Sequence, residues 1–338
     1  MLLEVNDFGL YCKQADVYID PWRPVKRALI THGHADHMRW GNQYYLVHKD
    51  TVPVLKVRIG ADVNFESVSY GEVKIINGVK FSYHPAGHIL GSSQIRCEYK
   101  GEIWVVTGDY KLHNDGLSPE FEPVQCHHFV TESTFGLPIY EFKSPLLIFD
   151  DIKNYWAENQ KNKENTIILC YSLGKAQSIL NQIDENTDNV FLHGAVANLN
   201  ESFREVGYNF VGERITGAHN KDHFDKSLII APPSVLGSAW MRKFGNYKVA
   251  FCSGWMQLRG AKNRKGVDKG FVFSDHCDFS SLNNAVKMSG AEHVYVTHGY
   301  ETQYAQWLRE SMGLDAQIMK TLYSDEEMMQ EEGKETLE

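Results

Sequence analysis

Short apolar runs separated by glycine and asparagine fill the first 110 residues, and their spacing predicts strands rather than helices. Asp16–Ile19, Ala28–Ile30 and Phe129–Thr131 are runs of this kind. Val73–Ile76 and Val79–Tyr83 flank Asn77-Gly78, and Arg96–Tyr99 and Ile103–Thr107 flank Lys100-Gly101. A two-residue link of that composition between alternating segments predicts a tight hairpin.

The pattern changes over 144–270. Helical periodicity near 145–159, 174–184 and 196–206 alternates with apolar runs at 166–170, 189–192, 227–231 and 247–252. That alternation predicts βαβ units and a parallel sheet. From 271 the first style returns: a strand at Phe271–Phe273, a helix over 280–289, a strand at His293–Thr297 and a helix over 301–312. The reading is an α/β insertion inside an outer two-sheet domain: 1–143 and 271–323 form the outer domain, 144–270 the insertion, and 324–338 an acidic disordered tail.

The 338 residues are 43% hydrophobic and 23% charged, the make-up of an ordinary globular protein. No run approaches the roughly 18 apolar residues of a membrane span. Without a basic, then apolar leader, the cytoplasm is the expected location. Six cysteines include no Cys-x-x-Cys pair, so buried reduced thiols are expected. The net charge of −9 argues against a polyanionic partner, but 324–338 alone carries −6. The remaining −3 leaves room for a local basic surface.

Thr31-His32-Gly33-His34-Ala35-Asp36-His37 follows the run Arg27–Ile30. A loop after a strand can aim such imidazoles and a carboxylate at one point, and these donors suit zinc or manganese. His88, in Pro85-Ala86-Gly87-His88, and Asp109, closing Val105-Val106-Thr107-Gly108-Asp109, also stand at strand ends. Each is weak alone, and beside the first motif each becomes a ligand candidate.

Here the chain resembles the metallo-β-lactamase superfamily, whose signature loop matches His32, His34, Asp36 and His37. Val130-Thr131-Glu132-Ser133-Thr134, Phe273-Ser274-Asp275-His276-Cys277-Asp278 and Val296-Thr297-His298-Gly299-Tyr300 resemble motifs A, B and C of its β-CASP nucleases. Phe135–Tyr140, His193–Val196, Ala231–Ser234 and Ser253–Gln257 bring it nearest to the bacterial DNA-ligase-associated exonuclease family, over about residues 5–322.

The resemblance implies an α/β (α+β) fold: a metallo-β-lactamase αββα sandwich with an inserted β-CASP α/β domain. It implies two divalent metal ions, zinc or manganese. His32, His34 and His88 would hold one, Asp36, His37 and His298 the other, and Asp109 would bridge both. His276 is the candidate acid for the leaving oxygen and Glu132 its orienting partner, with Asp36 at the catalytic centre. The implied activity is exonucleolytic cleavage of DNA in repair, with a DNA ligase and a helicase as partners and no membrane. His298 pulls toward the RNA-processing branches, which carry histidine where DNA-acting branches usually carry valine. The whole-chain match pulls toward DNA and weighs more. A β-CASP ribonuclease is the alternative, and a thioesterase or lactonase on the same fold is more remote, because those enzymes lack the insertion and the three motifs. A decayed scaffold is disfavoured by the full set of expected ligands.

For nucleic-acid contact, Gln257–Lys269 carries a local +4, with Arg259, Lys262, Arg264 and Lys265 as candidates. Ser172, Gly174 and Lys175 sit at an expected helix start, where free N–H groups favour anions. Tyr44, Tyr45, Trp240 and Trp255 could stack on bases, though core packing suits each better.

Overall fold

The protein is described here by a computed structural model covering residues 1–321. The expected acidic tail at 324–338 lies outside the described residues. The chain divides into two compact units: Met1–Asn114, Ser118–Glu141 and residues 276–321 form one, Asp115–Leu117 and Phe142–Asp275 the other.

Two sheets build the first unit. One has six strands ordered along the chain, Leu3–Asn6, Gly9–Cys12, Val17–Ile19, Ala28–Leu29, Tyr45–His48 and Phe65–Val68. The other has seven, ordered Asp315–Ile318, His293–Gly299, His128–Ser133, Glu102–Val106, Ser93–Tyr99, Val79–Pro85 and Val73–Ile76. Side chains alternate faces along a strand, so one strand feeds two cores. Trp104 and Val106 pack against Leu10, Ile19 and Leu46 of the facing sheet. Val105, between them, packs the other way with Phe129, Val294 and Val296. Leu282, Ala285 and Val286 of the helix Phe279–Ser289 cover that outer face, with Tyr304, Ala305 and Leu308 of the helix Glu301–Met312. A helix over Val52–Arg58 follows the first sheet's Tyr45–His48 strand.

Both hairpin links form as the sequence predicts. Asn77 and Gly78 have φ of 48° and 84°, Lys100 and Gly101 of 50° and 85°. Two consecutive left-handed residues match the twist of the flanking strands.

The second unit is a six-stranded parallel sheet ordered Glu213–Arg214, Val190–Leu192, Leu228–Ala231, Asn165–Leu169, Tyr247–Cys252 and Lys269–Phe271. Its central strands are buried throughout, as parallel strands covered on both faces must be. The helix expected over 174–184 is shorter, Lys175–Leu180. Beyond it Gln182 and Ile183 bond three residues back, and the Asp184 carboxylate takes the Asn186 N–H in a turn. The strand expected at Phe271–Phe273 ends at Phe271, where Phe273 N turns back onto the Phe271 carbonyl.

All six cysteines are buried, and none is in a disulfide. Among the described residues, no helix is long and apolar enough to cross a membrane.

Candidate metal centre

Strand direction gathers the site. Glu102–Val106, His128–Ser133 and His293–Gly299 run parallel. Val79–Pro85 is two antiparallel steps from Glu102–Val106 and so points the same way. Their C-terminal ends share one edge of the sheet, and His88, Asp109, Glu132 and His298 sit on or just past those ends. Ala28–Leu29 of the facing sheet delivers the His32–His37 loop to the same edge, where Ser93 N–H donates to the Thr31 carbonyl over 2.8 Å.

The exits are tightly fitted. Gly108 has a φ of 56°, and a Cβ there would come within 2.5 Å of Thr31 Oγ1, so only glycine lets Asp109 approach the loop. His298 itself has a φ of 52°. Its N–H donates to Glu301 Oε1 over 3.0 Å, and its carbonyl accepts from the Ser133 hydroxyl. These bonds hold a left-handed non-glycine residue whose conformation costs on the order of 1–3 kcal/mol.

Asp109 stands between two groups of donors. Its Oδ2 is 3.3 Å from His32 Nε2 and 3.7 Å from His88 Nε2, and its Oδ1 is 3.5 Å from His37 Nε2. His34 Nδ1 is 3.2 Å from His32 Nε2 and 3.0 Å from His88 Nε2. Donor atoms of His32, His34, His88 and Asp109 all fall within 4.8 Å of one another, as do those of His37, Asp109 and His298. Asp36 Oδ2 lies 3.5 Å from His37 Nε2, a buried nitrogen with no hydrogen-bond partner. Inward-facing imidazole nitrogens and carboxylate oxygens, with one buried nitrogen orphaned, fit divalent cations of the zinc and manganese class.

Electrostatics follow the same division. Burial and the neighbouring His37 push the His32 and His298 imidazoles down. Burial opposes charge on His37 too, but the Asp109, Asp36 and Asp20 carboxylates outweigh it and hold that ring well above the ordinary imidazole range. Burial works to neutralise Asp109, yet His37, His276 and His32 hold its carboxyl well below the usual value. Asp36 is held down against burial, chiefly by His37.

Beside this cluster, His276 Nδ1 lies 2.9 Å from Glu132 Oε2 and 3.0 Å from Oε1. Glu132 is buried and also accepts Tyr110 N–H over 2.9 Å, so its position is fixed by backbone. Carboxylate oxygens and an imidazole nitrogen of Asp109, Glu132 and His276 fall within 4.8 Å of one another. The Nδ1 contact fixes the ring orientation and turns Nε2 away from Glu132.

One participant is absent from the sequence reading. Asp20 Oδ2 is 2.7 Å from His37 Nδ1, and the same carboxylate accepts the Thr31 N–H over 2.8 Å and its hydroxyl. It orients a ligand candidate from behind. The signal was an acid at the end of the Val17–Ile19 strand, which has no local signature of its own.

The helix-start candidates are corrected. Ser172, Gly174 and Lys175 are buried. The Lys175 ammonium pairs with Asp275 at 2.7 Å and stacks over Tyr171. The Gly174 N–H is taken by the Gln177 side chain over 2.7 Å. Neither the cation nor the helix amide faces solvent, so these residues do not form a phosphate site. Arg259, Lys262 and Arg264 are exposed and Lys265 half-buried, around the short helix Ala261–Lys265. Tyr45 is buried with its hydroxyl on the Arg39 carbonyl, and Trp240 packs on Phe244 and His193.

No family model matches the chain. It is 30% identical over 312 residues to a "Probable DNA ligase" of Opitutus terrae, covering 91% of this chain and 30% of that protein. It is 22% identical over 351 residues to "Cleavage and polyadenylation specificity factor 73" of Drosophila melanogaster, covering 85% and 51%. A third relative, "Endoribonuclease YSH1" of Candida glabrata, is 30% identical over 123 residues, 36% of this chain and 16% of that one. The chain thus spans about half or less of the curated relatives it matches. A crystal structure of a protein of unknown function from Enterococcus faecalis aligns with a TM-score of 0.59 at 11% identity, over 88% of this chain and 80% of that one. That likeness is one of fold.

Proposed function

The chain belongs to the β-CASP branch of the metallo-β-lactamase family, and from that premise we propose that it is a metal-dependent nuclease cleaving phosphodiester bonds of DNA from an end. The observation that carries the reading is Asp109, whose two oxygens face two separate groups of donors. His32, His34 and His88 would hold one ion, Asp36, His37 and His298 the other, and Asp109 would serve both. Bound there, divalent ions supply a nucleophile from water at neutral pH and neutralise charge on the phosphate oxygens.

The chain's own groups do the rest. Glu132 holds His276 by Nδ1, leaving Nε2 to protonate the leaving sugar oxygen. The buried carboxylate also stabilises the charged imidazole before it gives up its proton. Asp20 fixes the His37 ring, and Ser133 and Glu301 fix the His298 backbone. The exposed Arg259, Lys262 and Arg264 are proposed phosphate contacts.

The relative named as a DNA ligase supports DNA, in a repair setting beside a ligase. A specific observation favours RNA as the second reading: His298 joins the cluster where DNA-acting branches usually carry valine, and a relative is named as an endoribonuclease. Such a centre does not use the 2′-hydroxyl, so the chemistry alone admits both. End-labelled DNA and RNA oligomers of one sequence, with zinc or manganese at one salt concentration, decide. We expect a ladder shortening from one DNA terminus. RNA cut with DNA left intact would move the protein to the ribonuclease reading, and cleavage of neither would end both.

A further inference from the structure

Trp40 presents 75% of its surface to solvent only three residues after His37. Hydrogen bonds brace the loop that displays it. The Arg39 carbonyl accepts from the Tyr45 hydroxyl over 2.6 Å and from Asn42 Nδ2 over 3.1 Å. Asn42 Oδ1 accepts Val25 N–H over 2.9 Å, and Gln43 N–H donates to the Val25 carbonyl over 3.0 Å. These bonds fasten the loop to the turn at 23–27, which carries the exposed cations Arg23, Lys26 and Arg27. Those cations have no ion-pair partner among the described residues. Where Gly41 meets Pro24, a groove of about 340 Å³ opens, lined also by Phe8, Tyr18, Lys26 and Arg27. Its one carboxylate, Asp16, takes the Tyr11 hydroxyl over 2.9 Å.

A large aromatic left three-quarters exposed gains little for the fold, because it buries little area there. Cations of one sign around it select a polyanion. A base can lie on an indole only when it is not stacked inside a duplex, which selects a single strand. We infer that this face of the first unit is a platform for single-stranded nucleic acid, with one base stacked on Trp40 and phosphates met by Arg23, Lys26 and Arg27. The inference rests on reading the adjacent centre as a phosphodiesterase and extends it to where a strand lies.

The test is fluorescence anisotropy of a labelled phosphorothioate oligothymidylate, which resists hydrolysis, on the metal-loaded protein. Trp40→Ala should raise Kd by roughly 5- to 150-fold, the loss of one stacked base, and Trp40→Phe should recover part of it. Arg23→Gln, Lys26→Gln and Arg27→Gln together should flatten the log Kd against log salt plot by about 2, at about 0.7 for each contact on single strands. A Trp40→Ala Kd within twofold of the parent, an unchanged salt slope in the triple variant, or no oligomer binding by the parent would each overturn the inference. Binding that depends on Trp40, in a protein that cuts no phosphodiester, would sink the catalytic reading alone.

Discussion

On the proposed reading, His276→Ala isolates the proton that the leaving oxygen needs. Its ring is tied by Nδ1 to a backbone-anchored Glu132 at 2.9 Å, so the wild-type imidazole is already oriented when substrate binds. Removing a positioned general acid costs about 10²–10⁴ in rate, or about 3–5.5 kcal/mol of barrier at 1.36 kcal/mol per tenfold. That figure applies to a sugar hydroxylate, which leaves poorly without a proton. A p-nitrophenyl phosphodiester has a leaving group stable as the anion, so on it the same variant should lose only about tenfold or less. The assay is single-turnover cleavage of both substrates at saturating metal, with bound metal measured on the same samples. Equal losses on the two substrates would remove His276 from the acid role. Metal lost along with the side chain would make it a ligand instead.

Two further outcomes follow from buried partners. Asp20→Asn keeps an acceptor for Thr31 but removes the charge behind His37. It should weaken one of the two proposed metal sites by about 10–100-fold in chelator competition, and unchanged affinity at both would refute its role. His48, stacked on Tyr70 at 3.7 Å between ring centroids, is depressed by burial from 6.5 to about 4. The neutral ring is favoured in the folded state, so stability is complete above the unfolded value and falls as pH drops from 6.5 toward 4. The maximum loss is about 3 kcal/mol. His48→Phe should remove that part of the acid sensitivity in urea titrations across this window, and an identical pH dependence in parent and variant would refute it.

How much of this was legible in the chain depends on how far apart the cooperating residues stand. The His32–His37 string is local, so spacing alone pointed to metal. The hairpins at Asn77-Gly78 and Lys100-Gly101 were equally local, set by two residues able to take positive φ. Glu132 and His276 are 144 positions apart, and only resemblance to a family joined them before the fold did. Asp20 was missed because an acid at a strand end looks like any cap until its neighbour across the sheet is known. Lys175 was misread for a related reason: composition shows a cation at a helix start, but not the Asp275 that meets it inside the protein. Trp40 drew no reading from the sequence, since exposure is a property of the folded surface.

The parallel pairing of His128–Ser133 with His293–Gly299 has a consequence for synthesis. A chain leaving the ribosome presents His32, His34, Asp36, His37, His88 and Asp109 well before His276 and His298. The strand that presents His298 pairs on one side with a strand made some 160 residues before. Until then the second group of donors lacks a member and Glu132 has no imidazole to hold. On the proposed reading, a polypeptide that stops before these two histidines holds neither the full second set of donors nor the acid, and the order of translation itself keeps an unfinished hydrolase silent.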